Sequence, residues 1–190
     1  MKYATGKEVI NGYRLEIANL RQKMRATQTQ LEPEEVTDYE FASPAGPVRL
    51  SALFGDHDDL LVVHNMGRAC PSCTLWADGY NGLHAHVVSR AAFVVSSPDS
   101  PAVQQAFASS RAWKFPLVSH AGTSFAADMG YGSAEDGWRP GISVFNRRGG
   151  TLIRVSDAPW SPGDDFCTLW HFFDLLPAGA AGWKPKFRYP

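Results

Sequence analysis

The apolar run Leu60-Leu61-Val62-Val63 stands shortly before Cys70-Pro71-Ser72-Cys73, and an apolar stripe at helical spacing follows the second cysteine. A continuous apolar run behind Asp58 and Asp59 reads as a strand buried on both faces, the kind found inside parallel sheets. Trp76, Tyr80, Leu83 and Val87 recur four, three and four residues apart, so Pro71 to Ser89 reads as an amphipathic helix. Gly79 and Gly82 are poor helix formers: either another backbone approaches this helix closely or the helix merely tolerates them. Ala91 to Val95 supplies the next buried strand. Strand, helix and strand in this order need a crossover, and that places the chain among mixed α/β folds.

The flanking segments extend the pattern. Val9, Ile10, Tyr13, Ile17, Leu20 and Met24 recur at three- and four-residue steps and predict a leading helix over 7–30. Tyr39 to Ala42 reads as a short strand, Pro44 to Pro47 as a turn, and Leu50 to Phe54 as one or two helical turns. Ser100-Pro101 opens a helix that reaches Ser110. Phe115 to Val118 is a short strand, and Ser124 to Met129 a helical turn. Ile142 to Phe145 and Leu152 to Val155 flank Asn146-Arg147-Arg148-Gly149-Gly150, a hairpin signature. Phe166, Leu169, Trp170 and Phe173 mark an amphipathic helix over Asp165 to Leu176. After the leading helix the expected order is β-β-α-β-α-β-β-α. The expected organisation is a helical extension over 1–36, one α/β domain over 37–176 and an irregular tail over 177–190.

Composition narrows the function classes. Hydrophobic residues make up 44% and charged residues 19%, enough for a packed core. A net charge of −1 gives no electrostatic reason to expect nucleic acid or an anionic membrane as partner. No segment approaches the ~18 consecutive apolar residues of a membrane span. No apolar run follows the first residues, so the expected compartment is the cytoplasm. Three cysteines in a chain of 190 residues argue against a disulfide-stapled secreted fold, and a close pair in a reducing compartment points to redox or metal chemistry.

The pair itself has a physical logic. With Cys70 at the N-cap, its sulfur faces the free N–H groups of Ser72 and Cys73 and the positive end of the helix dipole. Both favour a thiolate, so Cys70 is expected to be the acidic, attacking thiol. Pro71 suits the first helical position, where a missing N–H costs nothing. Cys73, one turn on, is expected to be more buried and to resolve the mixed disulfide. Arg68 is a candidate source of positive field, or a solvated loop residue. His64, at the end of the buried strand, is either a base that takes the proton of Cys73 or a hydrogen-bonded structural histidine. His84 and His86, two apart on a helix, point to different faces. Cys167 flanks an apolar stripe and reads as a buried, inert thiol.

Leu60 to Trp76, LLVVHNMGRACPSCTLW, resembles the active-site segment of the thioredoxin superfamily. CPSCTLWADGYNG at 70–82, FPLVSHAGTSFAADMG at 115–130 and GISVFNRRGG at 141–150 resemble the bacterial thioredoxin-like proteins of domain-of-unknown-function family 899. The similarity covers most of residues 7–176. It implies a three-layer α/β/α sandwich with a mixed central sheet and an extra N-terminal helix. Against thioredoxin itself, Ala69 replaces a Trp, Pro71-Ser72 replaces Gly-Pro, and His64 stands where thioredoxin keeps a buried carboxylate. The resemblance would place the cis-proline loop of that superfamily at Arg139-Pro140. A peroxiredoxin needs Thr or Ser three residues before its peroxidatic Cys; Gly67 holds that place before Cys70, and Cys70 before Cys73.

The leading expectation is thiol-disulfide exchange through Cys70 and Cys73, with His64 as base and Pro71, Ser72, Arg68 and Pro140 in support. It requires a protein or small-molecule disulfide substrate and an electron donor, with no cofactor and no resident metal. A metallochaperone using Cys70, Cys73 and His64 is a second expectation, since soft thiolates suit copper(I) or zinc. The third is a non-catalytic interaction domain whose leading helix forms a homo-oligomer contact.

Overall fold

The buried run predicted at Leu60 lies near the middle of a mixed sheet. The computed structural model describes all residues, 1–190, as two bodies, Met1–Glu34 and Glu35–Pro190. The first contains helix α1, Tyr3–Gln28, in which no residue is buried. No helix of the protein is long and apolar enough to cross a membrane.

In the second body, seven strands of three or more residues share one sheet: β1 (Glu40–Ser43), β2 (Gly46–Arg49), β3 (Asp59–His64), β4 (Ala92–Ser97), β5 (Leu117–Ser119), β6 (Gly141–Arg148) and β7 (Thr151–Pro159). Their order is β7-β6-β3-β4-β5-β1-β2. β3 and β4 run parallel in the register Leu60↔Ala92 to His64↔Ser96, and β4 and β5 are parallel as well. The remaining pairings, β6 with β3, β7 with β6, β1 with β5 and β1 with β2, are antiparallel. Helices α2 (Pro71–Val88) and α3 (Pro101–Ser110) make the crossovers. Two short helices follow, α4 (Phe125–Asp128) and α5 (Thr168–Phe173), and Leu50–Phe54 is a 3₁₀ turn.

Side chains alternate across a strand, so the sheet divides its apolar residues between two cores. Leu60, Val62, Val94, Val118 and Phe145 face Phe41, Leu50, Phe54 and Phe125. Val63, Phe93, Val95 and the half-buried Leu61 face Trp76 and Ala77 of α2, Trp170 of α5 and Trp160, which follows β7. Helices therefore cover both faces of a mixed sheet, the three-layer arrangement that the resemblance implies.

Several sequence expectations shift in detail. The segment around Pro47 is not only a turn: Gly46–Arg49 is a strand, tolerated because it lies at the sheet edge where proline's missing N–H breaks no ladder. On α2, Leu83 is exposed, and the packed stripe passes instead through the half-buried His84, whose ring lies 6.1 Å from Phe93. A Cβ at Gly79 or Gly82 would meet nothing within 4 Å, so neither glycine marks a close backbone approach. The last helix is shorter than expected, because Asp164 accepts the N–H groups of Ser161 and Phe166 in turns that occupy its first residues. Residues 177–190 carry no helix or strand, yet Trp183 packs against Trp170 and Phe173.

Candidate active site

The dithiol sits where β3 hands the chain to α2. Asn65 continues the parallel ladder by donating its N–H to Ser96 O at 2.9 Å, and its side-chain Oδ1 accepts the Gly67 N–H at 2.8 Å. Gly67 has φ +95°, and a Cβ there would lie 2.9 Å from Asp99 Oδ2, so the turn requires glycine. Asp99 in turn accepts the Arg68 N–H at 2.6 Å. These contacts fix the loop and deliver Cys70 to the N-cap of α2, with Pro71 in its first turn.

Cys70 Sγ accepts the N–H of Cys73 at 3.0 Å, using a donor that the helix leaves without an internal partner. Thr74 closes the first turn by donating both its N–H and its hydroxyl to Cys70 O. Cys70 is half-buried and Cys73 is 3% exposed; both are thiols. The Cys70 thiol is lowered to about 7, chiefly by the hydrogen bond from the Cys73 thiol, with the N–H groups of Cys73 and Ser72 adding to it against the effect of burial. Cys73 moves the other way, raised by the same thiol contact, by burial and by the charge that Cys70 carries as thiolate. The two sulfurs are thus unequal: an accessible acidic one and a buried one that keeps its proton.

His64 does not join them. It shares the parity of Leu60 and Val62 and so projects from the sheet face opposite α2. Its Nε2 is 2.8 Å from Ser143 Oγ, and its ring lies 3.9 Å from Tyr131 with planes 7° apart. Its Nδ1 is buried without a hydrogen-bond partner. Burial, then His120 and Arg154, hold its pKa well below the usual histidine value. His120 repeats the pattern on the same face, with Nδ1 2.8 Å from Ser96 Oγ and Nε2 buried and unpartnered. Burial lowers it to about 4. The close stacking on His64 needs Gly141, where a Cβ would run into the Tyr131 ring.

The other predicted residues fall as follows. Arg68 is exposed and meets Asp99 through its backbone; the groups that lower Cys70 are those of Cys73 and Ser72. Pro140 precedes Gly141, the β6 partner of His64, and its carbonyl accepts Trp160 N–H at 2.9 Å. No peptide bond is cis, so the cis-proline placed at Arg139-Pro140 by resemblance is not found there. Cys167 is buried against the α2 side of the sheet, and burial raises its pKa. No three His, Cys, Asp or Glu side chains converge as a metal-ion site would require, so the metallochaperone expectation is left with the two thiols alone.

Sequence reasoning missed Asn65 and Asp99, and placed Tyr80 only in the apolar stripe of α2. The Tyr80 hydroxyl is buried near Cys73 and Asn65 without a hydrogen bond of normal geometry, and its pKa is raised mainly by burial. The Asn-Met-Gly order at 65–67 is a legible turn signal; Asp99 lies 31 residues from Arg68 and has no local one. Beside the first turn of α2 lies a groove of about 620 Å³ lined by Pro71, Ser72, Trp170, Asp174, Trp183 and Lys184, among others.

Comparison with known proteins places the fold. The model of the family described as bacterial protein of unknown function (DUF899) matches residues 12–186. The chain belongs to the DUF899 family. No curated protein sequence matches it at a significant level. Among solved structures, this DUF899 protein is similar to peroxidoxin BcpB from Mycobacterium tuberculosis, at 25% identity and TM-score 0.55, over 67% of this chain and 84% of that one. A PrxQ mutant from Xylella fastidiosa shares 16% identity at TM-score 0.53, over 69% and 87%. A peroxiredoxin-like protein from Aquifex aeolicus shares 12% at 0.51, over 67% and 74%. The fold is thioredoxin-like.

Proposed function

We propose that this DUF899 protein is a dithiol oxidoreductase that exchanges disulfides through Cys70 and Cys73. The observation that carries the reading is the asymmetry of the pair: a half-exposed, acidified Cys70 at a helix N-cap above a buried, proton-retaining Cys73. Cys70 thiolate attacks one sulfur of a substrate disulfide, forming a mixed disulfide and expelling the other sulfur as thiolate. Cys73 then loses its proton to the departing thiolate and attacks Cys70 Sγ. The second substrate thiol leaves, and a Cys70–Cys73 disulfide remains. The substrate gains two electrons and the protein loses two; an external dithiol restores the reduced pair. A reducing compartment such as the cytoplasm would supply that donor. The groove beside Pro71 and Ser72 offers an apolar wall to the groups that flank the substrate sulfur.

The likeness to peroxidoxin BcpB favours a second reading, peroxide reduction at the same sulfur. There Cys70 thiolate takes the terminal peroxide oxygen and becomes a sulfenic acid; the O–O bond breaks, and the alkoxide or hydroxide takes a proton from solvent and leaves as alcohol or water. Cys73 thiol condenses with it to the same disulfide, and water leaves. One experiment separates the readings. Reduced protein is mixed in turn with a small aromatic disulfide and with hydrogen peroxide, and the Cys70–Cys73 disulfide is followed by mass spectrometry. Rapid closure with the disulfide and slow closure with peroxide is expected. The reverse order moves the assignment to peroxidase, and closure with neither sinks both.

A further inference from the structure

Helix α1 carries apolar residues that the structure leaves exposed, and their spacing says what covers them. Ile10, Tyr13, Ile17, Leu20 and Met24 follow one another at three, four, three and four residues. That alternation is the a and d pattern of a coiled-coil seam over two heptads, and here, unlike the stripe of α2, no core covers it. Each of the five is exposed, from 47% for Ile17 to 67% for Met24. At 1.5 Å per residue the 26-residue helix is about 39 Å long, and a helix with no buried face has little tertiary packing to hold it. From these observations we infer that α1 forms a parallel, two-stranded coiled coil with α1 of a second copy of this chain.

The residue types choose the partner and its direction. With Ile10 at an a position, Ile10, Ile17 and Met24 occupy a, and Tyr13 and Leu20 occupy d. Ile at a with Leu at d favours two parallel strands. The flanking e positions are Lys7, Arg14 and Arg21, all cationic, and the g positions are Val9, Glu16 and Lys23. An antiparallel pair sets e against e and so opposes cations along one whole side. A parallel pair sets g against e of the other copy, which brings each Glu16 to Arg21 of the opposite helix. Five seam side chains from each copy bury roughly 600–1,200 Å² in all. Stable interfaces take about 1,200–2,000 Å², so the dimer is a weak one that forms at micromolar concentrations. The proposal stands apart from the redox reading and does not depend on it.

Sedimentation of the full chain from about 1 to 200 µM tests it. A rise toward twice the 20.8 kDa chain mass is expected. Ile17→Lys, at a, should weaken association at least about 100-fold, leaving monomer across the range. Leu15→Lys alters a still more exposed leucine, at f, and should leave the dimer intact. Near-UV circular dichroism of both variants reports that the α/β body is unchanged. A Leu20→Cys variant, air-oxidised and peptide-mapped, should yield a symmetric link through position 20. A monomer at every concentration, a trimer or larger species, a dimer indifferent to Ile17→Lys, or a dimer without the symmetric link would each overturn the proposal.

Discussion

Lowering the pH from 7 to about 4.5 should destabilise this protein through its two buried histidines. The sign follows from where the histidine pKa values lie. Both His64 and His120 have folded-state pKa values below the unfolded value of 6.5, so the unfolded chain binds more protons as pH falls through 6.5. Stability is therefore complete above 6.5 and falls with pH until the folded-state pKa is reached. For His120, with a folded value of about 4, the loss between pH 7 and 4.5 is about 2 kcal/mol, since a tenfold change in proton affinity between the two states corresponds to about 1.4 kcal/mol. His64 adds a loss of the same sign. Urea unfolding followed by tryptophan fluorescence at both pH values measures it, with His120→Gln as the comparison. Wild type should lose about 2 kcal/mol more than the variant over this interval. Equal losses would show that His120 titrates normally in the fold and would refute the reasoning from burial.

Other outcomes follow from the same geometry. The ultraviolet absorbance of the Cys70 thiolate should titrate near pH 7, and Cys73→Ala, which removes the thiol donor, should move that midpoint upward; an unmoved midpoint would show that the backbone N–H groups alone hold it. Gly67→Ala forces an alanine into positive φ and against Asp99, and should cost about 1–3 kcal/mol in urea unfolding; an unchanged midpoint would show that the loop relaxes freely. His64→Gln should leave the pH profile of disulfide exchange superimposable on wild type between about pH 5 and 8, because the side chain projects from the face opposite α2. A displaced profile in stopped-flow reduction would restore His64 to the proton path.

Local patterns made the centre of the fold legible. An unbroken apolar run, a proline in the first turn and a cysteine at the cap all act within a few residues, so β3, the start of α2 and the order of the two thiols are readable from the chain. What escaped depends on distance or on parity. His64 lies close to the cysteines in sequence, but only the crossover decides that α2 covers the Val63 face rather than the His64 face. Asp99 reaches the loop from the end of β4, a contact that no window on the sequence contains. Pro47 reads as a turn residue until the sheet order shows that it stands on an edge. Leu83 and His84 both fit a helical stripe, and the aromatic wall of Phe93 and Phe115 selects the histidine.

The most direct test of the dithiol account removes the resolving thiol and asks where the substrate stays. Cys73→Ser protein is mixed with an aromatic disulfide near pH 7, quenched with acid and mapped by peptide mass spectrometry. An adduct on Cys70 in nearly every molecule, with Cys167 unmodified, is the predicted result. An adduct spread between Cys70 and Cys167, or none at all, would contradict Cys70 as the attacking sulfur.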